Sequence, residues 1–439
     1  MRIDLPGCGL GVATAATQIE GGAHNHNWAD WARRGRILDG SSPVRATDHW
    51  NRVADDTELL SDLGIKHYRM GLEWSRIEPT PGFFDEAAFA HYRFELMLLR
   101  EAGIVPMLTL HHFNNPSWLE ERGGFLNPGA IRFFLRFVSR VVRALGDLVD
   151  EYVTINEPNV YATYAYQYGL WPPGHQSARD VVAVSQNLAV AHIRAYQLIH
   201  SLQPAARVGT AMHVRIFRPA NRANPYHVAS ARALDYAFQG CMLRAVSRGQ
   251  FRPPLTQPGD IRPGIYYDFQ GVNYYSRSTV TGPADGTGTD VPINDLGWEI
   301  YPQGIVEVAA RVNRRFPGPI YITENGTADA ADAFRSRFIY DHLAAISRSA
   351  LPIRRYYHWC LVDNWEWIEG EQARFGLIEN DFETQTRTVR PSGRFYADVI
   401  ANAGVTDEAY ERYVAHEAYP TTRPQHVREL TKRWAEVTA

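Results

Sequence analysis

The sequence predicts a single (β/α)8 barrel, and three observations lead there. Eight short apolar segments, at about 10–16, 67–72, 104–111, 149–156, 208–214, 268–274, 319–324 and 354–361, have the length and composition of buried strands. Amphipathic stretches of helical period lie between most of them, the alternation that builds a parallel sheet. No GxGxxG motif marks a nucleotide crevice, which favours a closed barrel over a doubly wound open sheet.

Taken in order, the first strand runs into Gln18 and Glu20 and then a Gly- and Asn-rich insertion at about 21–47. The second carries Arg69, and the third ends in His111-His112. Asn127 reads as a helix N-cap, with Pro128 at the first helical position. Ile131, Phe134, Leu135, Val138, Val141, Val142 and Leu145 follow on one stripe, and Gly146 ends it. The fourth strand closes on Thr154-Ile155-Asn156-Glu157-Pro158. Helical stripes at about 181–202 and 228–248 flank the fifth strand, with insertions at about 171–180 and 216–227. The sixth brings Asn273 and Tyr275, then an insertion at about 277–302 and a helical stripe at 303–315. The seventh closes on Tyr321-Ile322-Thr323-Glu324-Asn325-Gly326, and a stripe at 333–350 leads to the eighth. Trp359, Glu366 and Trp367 lie on or after that strand. No repeat, linker or composition shift divides the chain, so residues 1–439 read as one barrel domain. The stretch after about 405 is an extension expected to pack on the outside.

Composition narrows the partners. The chain is 45% hydrophobic and 21% charged with a net charge of −3, which favours neither nucleic acid nor an anionic membrane. Lys occurs only at 66 and 432, so an amine nucleophile has almost no candidates. Three widely spaced cysteines without CxxC patterning argue against a disulfide framework or a zinc site. The first residues make a poor signal peptide, and no run approaches the ~18 apolar residues of a membrane span. A cytoplasmic location is expected.

Active sites of such barrels gather at the C-terminal ends of the strands. Seven of the eight segments bring polar residues there: Gln18 and Glu20, Arg69, His111 and His112, Asn156 and Glu157, Asn273 and Tyr275, Glu324, and Trp359 with Glu366 and Trp367. The two acids Glu157 and Glu324 stand in near-identical settings, each closing a buried strand. Two carboxyl groups about 5–5.5 Å apart are the apparatus for cleaving a glycosidic bond with retention, one as nucleophile and one as proton donor. Their pKa values must differ. Arg69 is positioned in sequence to keep one of them charged, and Asn156 to bond the hydroxyl beside the reacting carbon. Local patterning does not say which acid takes which role. Adjacent histidines on a strand point to opposite faces, so one of His111 and His112 is expected at a sugar hydroxyl and the other in a structural role. Three Trp and two acids within 358–367 form a stacking face with a hydroxyl clamp. A barrel that binds sugar without catalysis is the alternative; it would most simply lack one acid, and both are present.

These residues resemble glycoside hydrolase family 1, the β-glucosidase family, over about 9–404. The motifs are Ala16-Thr17-Gln18-Ile19-Glu20-Gly21, Trp74-Ser75-Arg76-Ile77, Thr109-Leu110-His111-His112-Phe113 and Asn156-Glu157-Pro158. Asn273-Tyr274-Tyr275, Gly297-Trp298-Glu299, Thr323-Glu324-Asn325-Gly326 and Asp363-Asn364-Trp365-Glu366-Trp367 continue the pattern. The resemblance implies Glu157 as acid/base and Glu324 as nucleophile. It implies Gln18, His112, Asn156, Glu366 and Trp367 as hydroxyl ligands of the transferred sugar, Trp359 as its platform, and Tyr275 and Arg69 as supports of Glu324, with Asn273 beside them. It implies no metal or organic cofactor, and small β-glycosides and oligosaccharides as partners. Glu366 would repel a phosphorylated sugar, so plain glucosides, with fucosides and galactosides, are the expected substrates, and transfer to sugar acceptors is an expected side reaction. His112-Phe113-Asn114 replaces the family's usual His-Trp-Asp, Cys360 a usual Ser, and Asn159 a larger residue expected on the leaving-group side.

Overall fold

The computed structural model describes residues 2–422. Its centre is a closed barrel of eight parallel strands taken in chain order: Gly9–Ala13, His67–Gly71, Val105–Thr109, Glu151–Asn156, Arg207–His213, Gln270–Asn273, Ile320–Asn325 and Ile353–Trp359. All eight segments read from the sequence are there. The last strand pairs with the first from Arg355↔Gly9 to Trp359↔Ala13, which removes every free edge. Inward and interstrand positions are packed without gaps, with Val12, Met107, Val153 and Ile322 fully buried. Where strands crowd, only glycine fits: a Cβ on Gly11 would lie 2.2 Å from the His67 carbonyl oxygen.

The helices follow their apolar stripes, with local corrections. Ala130–Leu145 starts two residues later than Pro128, because Asn127 caps the preceding turn by accepting from the Gly129 amide at 2.8 Å. Ala178–Leu202 starts at Ser177, whose hydroxyl accepts from the Asp180 amide. The stripe at 228–248 is not one helix. Pro225–Asp235 and Cys241–Arg248 are joined by a π-turn over Tyr236–Gly240, an inserted residue's worth of backbone that periodicity alone does not reveal. The insertions at about 216–227 and 277–302 together form a small sheet: Arg277–Val280 pairs with Ile216–Pro219 and with Asp285–Gly286. After residue 405, Tyr410 packs on Tyr340, and Tyr419 donates to Asp341 at 2.7 Å. The extension beyond 422 lies outside the described residues.

Register shifts mark the strand ends that matter. The fourth strand slips against the fifth between Val153 and Asn156, and the seventh slips against the sixth between Ile322 and Glu324. Such irregularities re-aim side chains at barrel rims. The two acids are therefore not equivalent in backbone. Glu157 lies one residue past its strand at φ +40°, in the left-handed region, whereas Glu324 is still within its strand. At Gly326 a Cβ would stand 1.9 Å from the Trp359 carbonyl oxygen, so the glycine lets the seventh and eighth strand ends touch.

Candidate active site

A cleft opens at the C-terminal ends of the strands, where the sites of such barrels lie. His112, Glu157, Tyr275, Glu324, Trp359, Glu366 and Trp367, all singled out from sequence, line it together. Arg69, Asn156, Asn273 and Gln18 stand behind this wall and are hydrogen-bonded to it.

Arg69 is wholly buried and fans its guanidinium across three strands. Nη1 donates to Glu324 Oε1 at 2.5 Å and to the Thr323 carbonyl at 3.1 Å. Nη2 donates to Asn156 Oδ1 at 2.6 Å, and Nε to Thr109 at 3.0 Å. The Tyr275 hydroxyl donates to Glu324 Oε2 at 2.7 Å. Both carboxylate oxygens of Glu324 thus have a donor. Burial pushes its carboxyl up to about 7; Arg69 pulls it down, the charge of Glu157 adds to the rise, and the Tyr275 hydrogen bond opposes it. Arg69 does pull this pKa down, as its charge leads one to expect, but desolvation outweighs the guanidinium.

Glu157 has different company. Asn273 Nδ2 donates to Glu157 Oε1 at 2.9 Å, and His213 Nδ1 lies 3.1 Å from the same oxygen. Asn273 is fixed in turn, its Oδ1 accepting from Thr323 at 2.6 Å. Asn156 is largely spent on protein: its oxygen accepts from Arg69 and Asn273, and its Nδ2 bonds His112 Nε2 at 2.9 Å. That bond makes Nε2 the acceptor, and burial holds the His112 ring neutral, its pKa far down, so Nδ1 carries the hydrogen and has no protein partner. His111 is structural: Nε2 lies 3.0 Å from Asn115 Oδ1, and its ring packs on Phe125 and Tyr161.

On the far wall, Gln18 Nε2 donates to Glu366 Oε2 at 2.9 Å, while Gln18 Oε1 is buried without a protein partner. Burial pushes the Glu366 carboxyl well up; Glu369 adds to the rise, and hydrogen bonds from Gln18 and Trp359 oppose it. Trp367 packs on Trp28, and the His112 ring is stacked on it at 5.7 Å. An imidazole, a carboxyl group and two indoles line one cleft, with the unpartnered Gln18 oxygen just behind the wall, a set that suits a polyhydroxylated ring with an apolar face. Among the described residues, no group of three or more His, Cys, Asp or Glu is placed to hold a metal ion.

Two positions change meaning. Asn159 is buried away from the cleft and donates to the His213 carbonyl at 3.0 Å, so it braces the fifth strand and does not face a leaving group. Val160 and Tyr164, one and five residues on, take that place. Asn114 donates both amide hydrogens to Glu73, at 2.5 and 2.6 Å. Sequence reading missed His213 and the outer wall of Arg215, Phe238, Leu296 and Trp298. The fifth strand was the only one without an assigned polar end, and a barrel rim built from every strand was the signal that could have found His213.

An eight-stranded α/β barrel with two buried carboxyl groups across an aromatic, hydrogen-bonding cleft is the architecture of a hydrolase of O-glycosyl bonds. The family model for glycosyl hydrolase family 1 matches residues 8–258 and 265–405, and the chain belongs to that family. Beta-glucosidase A of Thermotoga maritima is 30% identical, over 90% of this chain and 97% of its own. A beta-galactosidase of Sulfolobus acidocaldarius is 28% identical, over 88% and 91%. Among solved structures, a beta-glycosidase from Pyrococcus horikoshii superposes with a TM-score of 0.87 at 33% identity, over 94% of this chain and 98% of that one. The Thermotoga maritima enzyme in complex with glucoimidazole superposes at 0.86 with 29% identity, over 92% and 100%.

Proposed function

We propose that the protein is a retaining β-glucosidase acting on small β-D-glucosides, with β-fucosides and β-galactosides as further substrates. The observation that carries the reading is the unequal support of the two acids. Glu324 has a guanidinium and a phenol on its oxygens, donors that favour its charged form; Glu157 has an amide and an imidazole. Glu324 is then the nucleophile and Glu157 the acid/base.

In the first step Glu324 attacks the anomeric carbon as the bond to the glycosidic oxygen breaks, and Glu157 gives that oxygen its proton. In the second, water attacks the same carbon, passes a proton back to Glu157 and releases Glu324. Two inversions restore the β configuration. Trp359 stacks under the sugar ring; Gln18, His112 and Glu366 take its hydroxyls. A sugar hydroxyl in place of that water gives transglycosylation by the same steps. Beyond Glu157 the wall of Val160, Tyr164, Phe238, Leu296 and Trp298, with Arg215 among them, suits apolar or aromatic leaving groups. A beta-galactosidase and a beta-glucosidase among its relatives support a site tolerant at one hydroxyl.

The test is Glu324→Gln and Glu157→Gln, assayed separately with an activated aryl β-glucoside. Glu324→Gln is expected to abolish turnover. Glu157→Gln is expected to lose less with good leaving groups, which need little protonation. Near-normal turnover in either variant, or a product released first as the α-anomer, refutes the assignment.

A further inference from the structure

The fifth strand ends on an imidazole that touches one of the two acids. His213 Nδ1 lies 3.1 Å from Glu157 Oε1, in the cleft wall on the leaving-group side. The same oxygen already accepts from Asn273 at 2.9 Å. With Asn273 already donating to Oε1, the complementary arrangement puts the acidic proton on Oε2 and makes His213 Nδ1 a second donor to Oε1.

The strand end that carries the ring is braced, and the ring packs against two aromatic neighbours. Asn159 Nδ2 bonds its carbonyl at 3.0 Å. Two residues on, Gln239 clamps the main chain of Arg215 at both its N–H (3.0 Å) and its C=O (2.9 Å), a reach supplied by the π-turn at Tyr236–Gly240. The imidazole lies nearly parallel to Tyr275, with centroids 6.0 Å apart and planes 13° apart, and meets Phe238 at an edge. Such fixing exceeds what a space-filling side chain needs. It is the arrangement that aims one N–H at one oxygen.

We infer that His213 is a positioning residue for the proton donor: its Nδ1–H orients the Glu157 carboxyl and sets how readily that group gives up its proton. The inference rests on the acid/base role proposed for Glu157. As the Oε2 proton passes to the glycosidic oxygen, negative charge grows on Glu157 and the His213 bond becomes charge-assisted. His213 keeps its own proton throughout. The charged and titratable groups facing it are Glu157; Tyr275, which carries the hydrogen bond to Glu324; and Arg215, which is paired with Asp285 at 3.3 Å. Glu366 and Glu369 line the same cleft.

The experiment compares His213→Phe, which removes the donor, with His213→Asn, whose Nδ2 occupies nearly the same place as the imidazole Nδ1. His213→Leu serves if the phenyl ring is not accommodated. The readout is the pH profile of kcat/KM on phenyl β-D-glucoside, whose leaving group needs a proton, and on 2,4-dinitrophenyl β-D-glucoside, whose leaving group does not. His213→Phe is expected to move the alkaline limb on the phenyl substrate up by about one pH unit, a tenfold change in acid strength. His213→Asn is expected to leave that limb within a few tenths of the parent's, and the acid limb is expected to stay in place in both. An unmoved alkaline limb in His213→Phe, or equal movement in both variants, overturns the inference. An alkaline limb that survives Glu157→Gln instead refutes the acid/base assignment itself, whatever His213 does.

Discussion

Removing the Tyr275 hydroxyl isolates one term of the balance that governs Glu324. In Tyr275→Phe the ring keeps its place against His213, Trp298 and Phe375, and only the 2.7 Å donation to Oε2 disappears. A hydrogen bond to a charged group contributes roughly 1.5–3 kcal/mol. At ~1.36 kcal/mol per pH unit, that bond holds the carboxyl about one to two units lower than it would otherwise stand. In the role proposed for it, Glu324 works ionised, so the acid limb of kcat/KM is expected to rise by that amount. With the parent carboxyl at about 7, kcat/KM at pH 6 falls about ten- to hundredfold, and the loss shrinks as the pH rises through neutrality. The assay is a pH profile of kcat/KM on an aryl β-glucoside, with Tm measured in parallel. A uniform loss at all pH values with an unmoved limb would refute the claim that Tyr275 acts on the charge of Glu324.

Two further outcomes follow from buried ionisable groups. Burial holds the Glu366 carboxyl well above its ordinary 4.5, so above that pH the folded protein keeps a proton that the unfolded chain has lost, and stability falls as pH rises. In Glu366→Gln the Tm difference from the parent is expected to move in the variant's favour as pH climbs from 4.5 toward neutrality, while sugar binding weakens; a difference independent of pH contradicts this. His49 sits between Asp56 (2.7 Å) and Glu95 (3.0 Å). Burial alone would push its imidazole down, but the two carboxylates hold it protonated up to about 10. Its stabilisation is complete below its ordinary 6.5 and is lost as pH rises toward 10. His49→Gln is expected to melt well below the parent at pH 6, by about 3–5 kcal/mol for a broken buried pair, with the gap closing by pH 10. A constant gap across that range excludes the linkage.

Much of this was legible from residue order. Eight apolar segments and their intervening stripes are local patterns, and each strand appears where its run of Val, Ile, Leu, Met and Tyr lies. The polar strand ends could be read because a closed parallel barrel sends every strand's last residues to one rim. The π-turn at Tyr236–Gly240 was hidden, because it is a change of backbone hydrogen bonding that no residue type announces. Asn159 was misplaced for a related reason. Its neighbour Glu157 turns out of the strand at φ +40°, and the helix beginning at Pro158 carries Asn159 away from the cleft and Val160 into it.

Sequence by itself determined the architecture, the two acids and most of their neighbours, since these depend on strand period and on residue types at strand ends. The tertiary structure adds the surroundings in which the two acids differ. Whether a carboxyl is charged depends on what surrounds it within a few ångströms, and those groups come from other strands. Arg69 reaches Glu324 from 255 positions away, Tyr275 from 49, and His213 reaches Glu157 from 56. Burial against donors is a property of the assembled rim, and the unequal roles of two similar strand ends arise there.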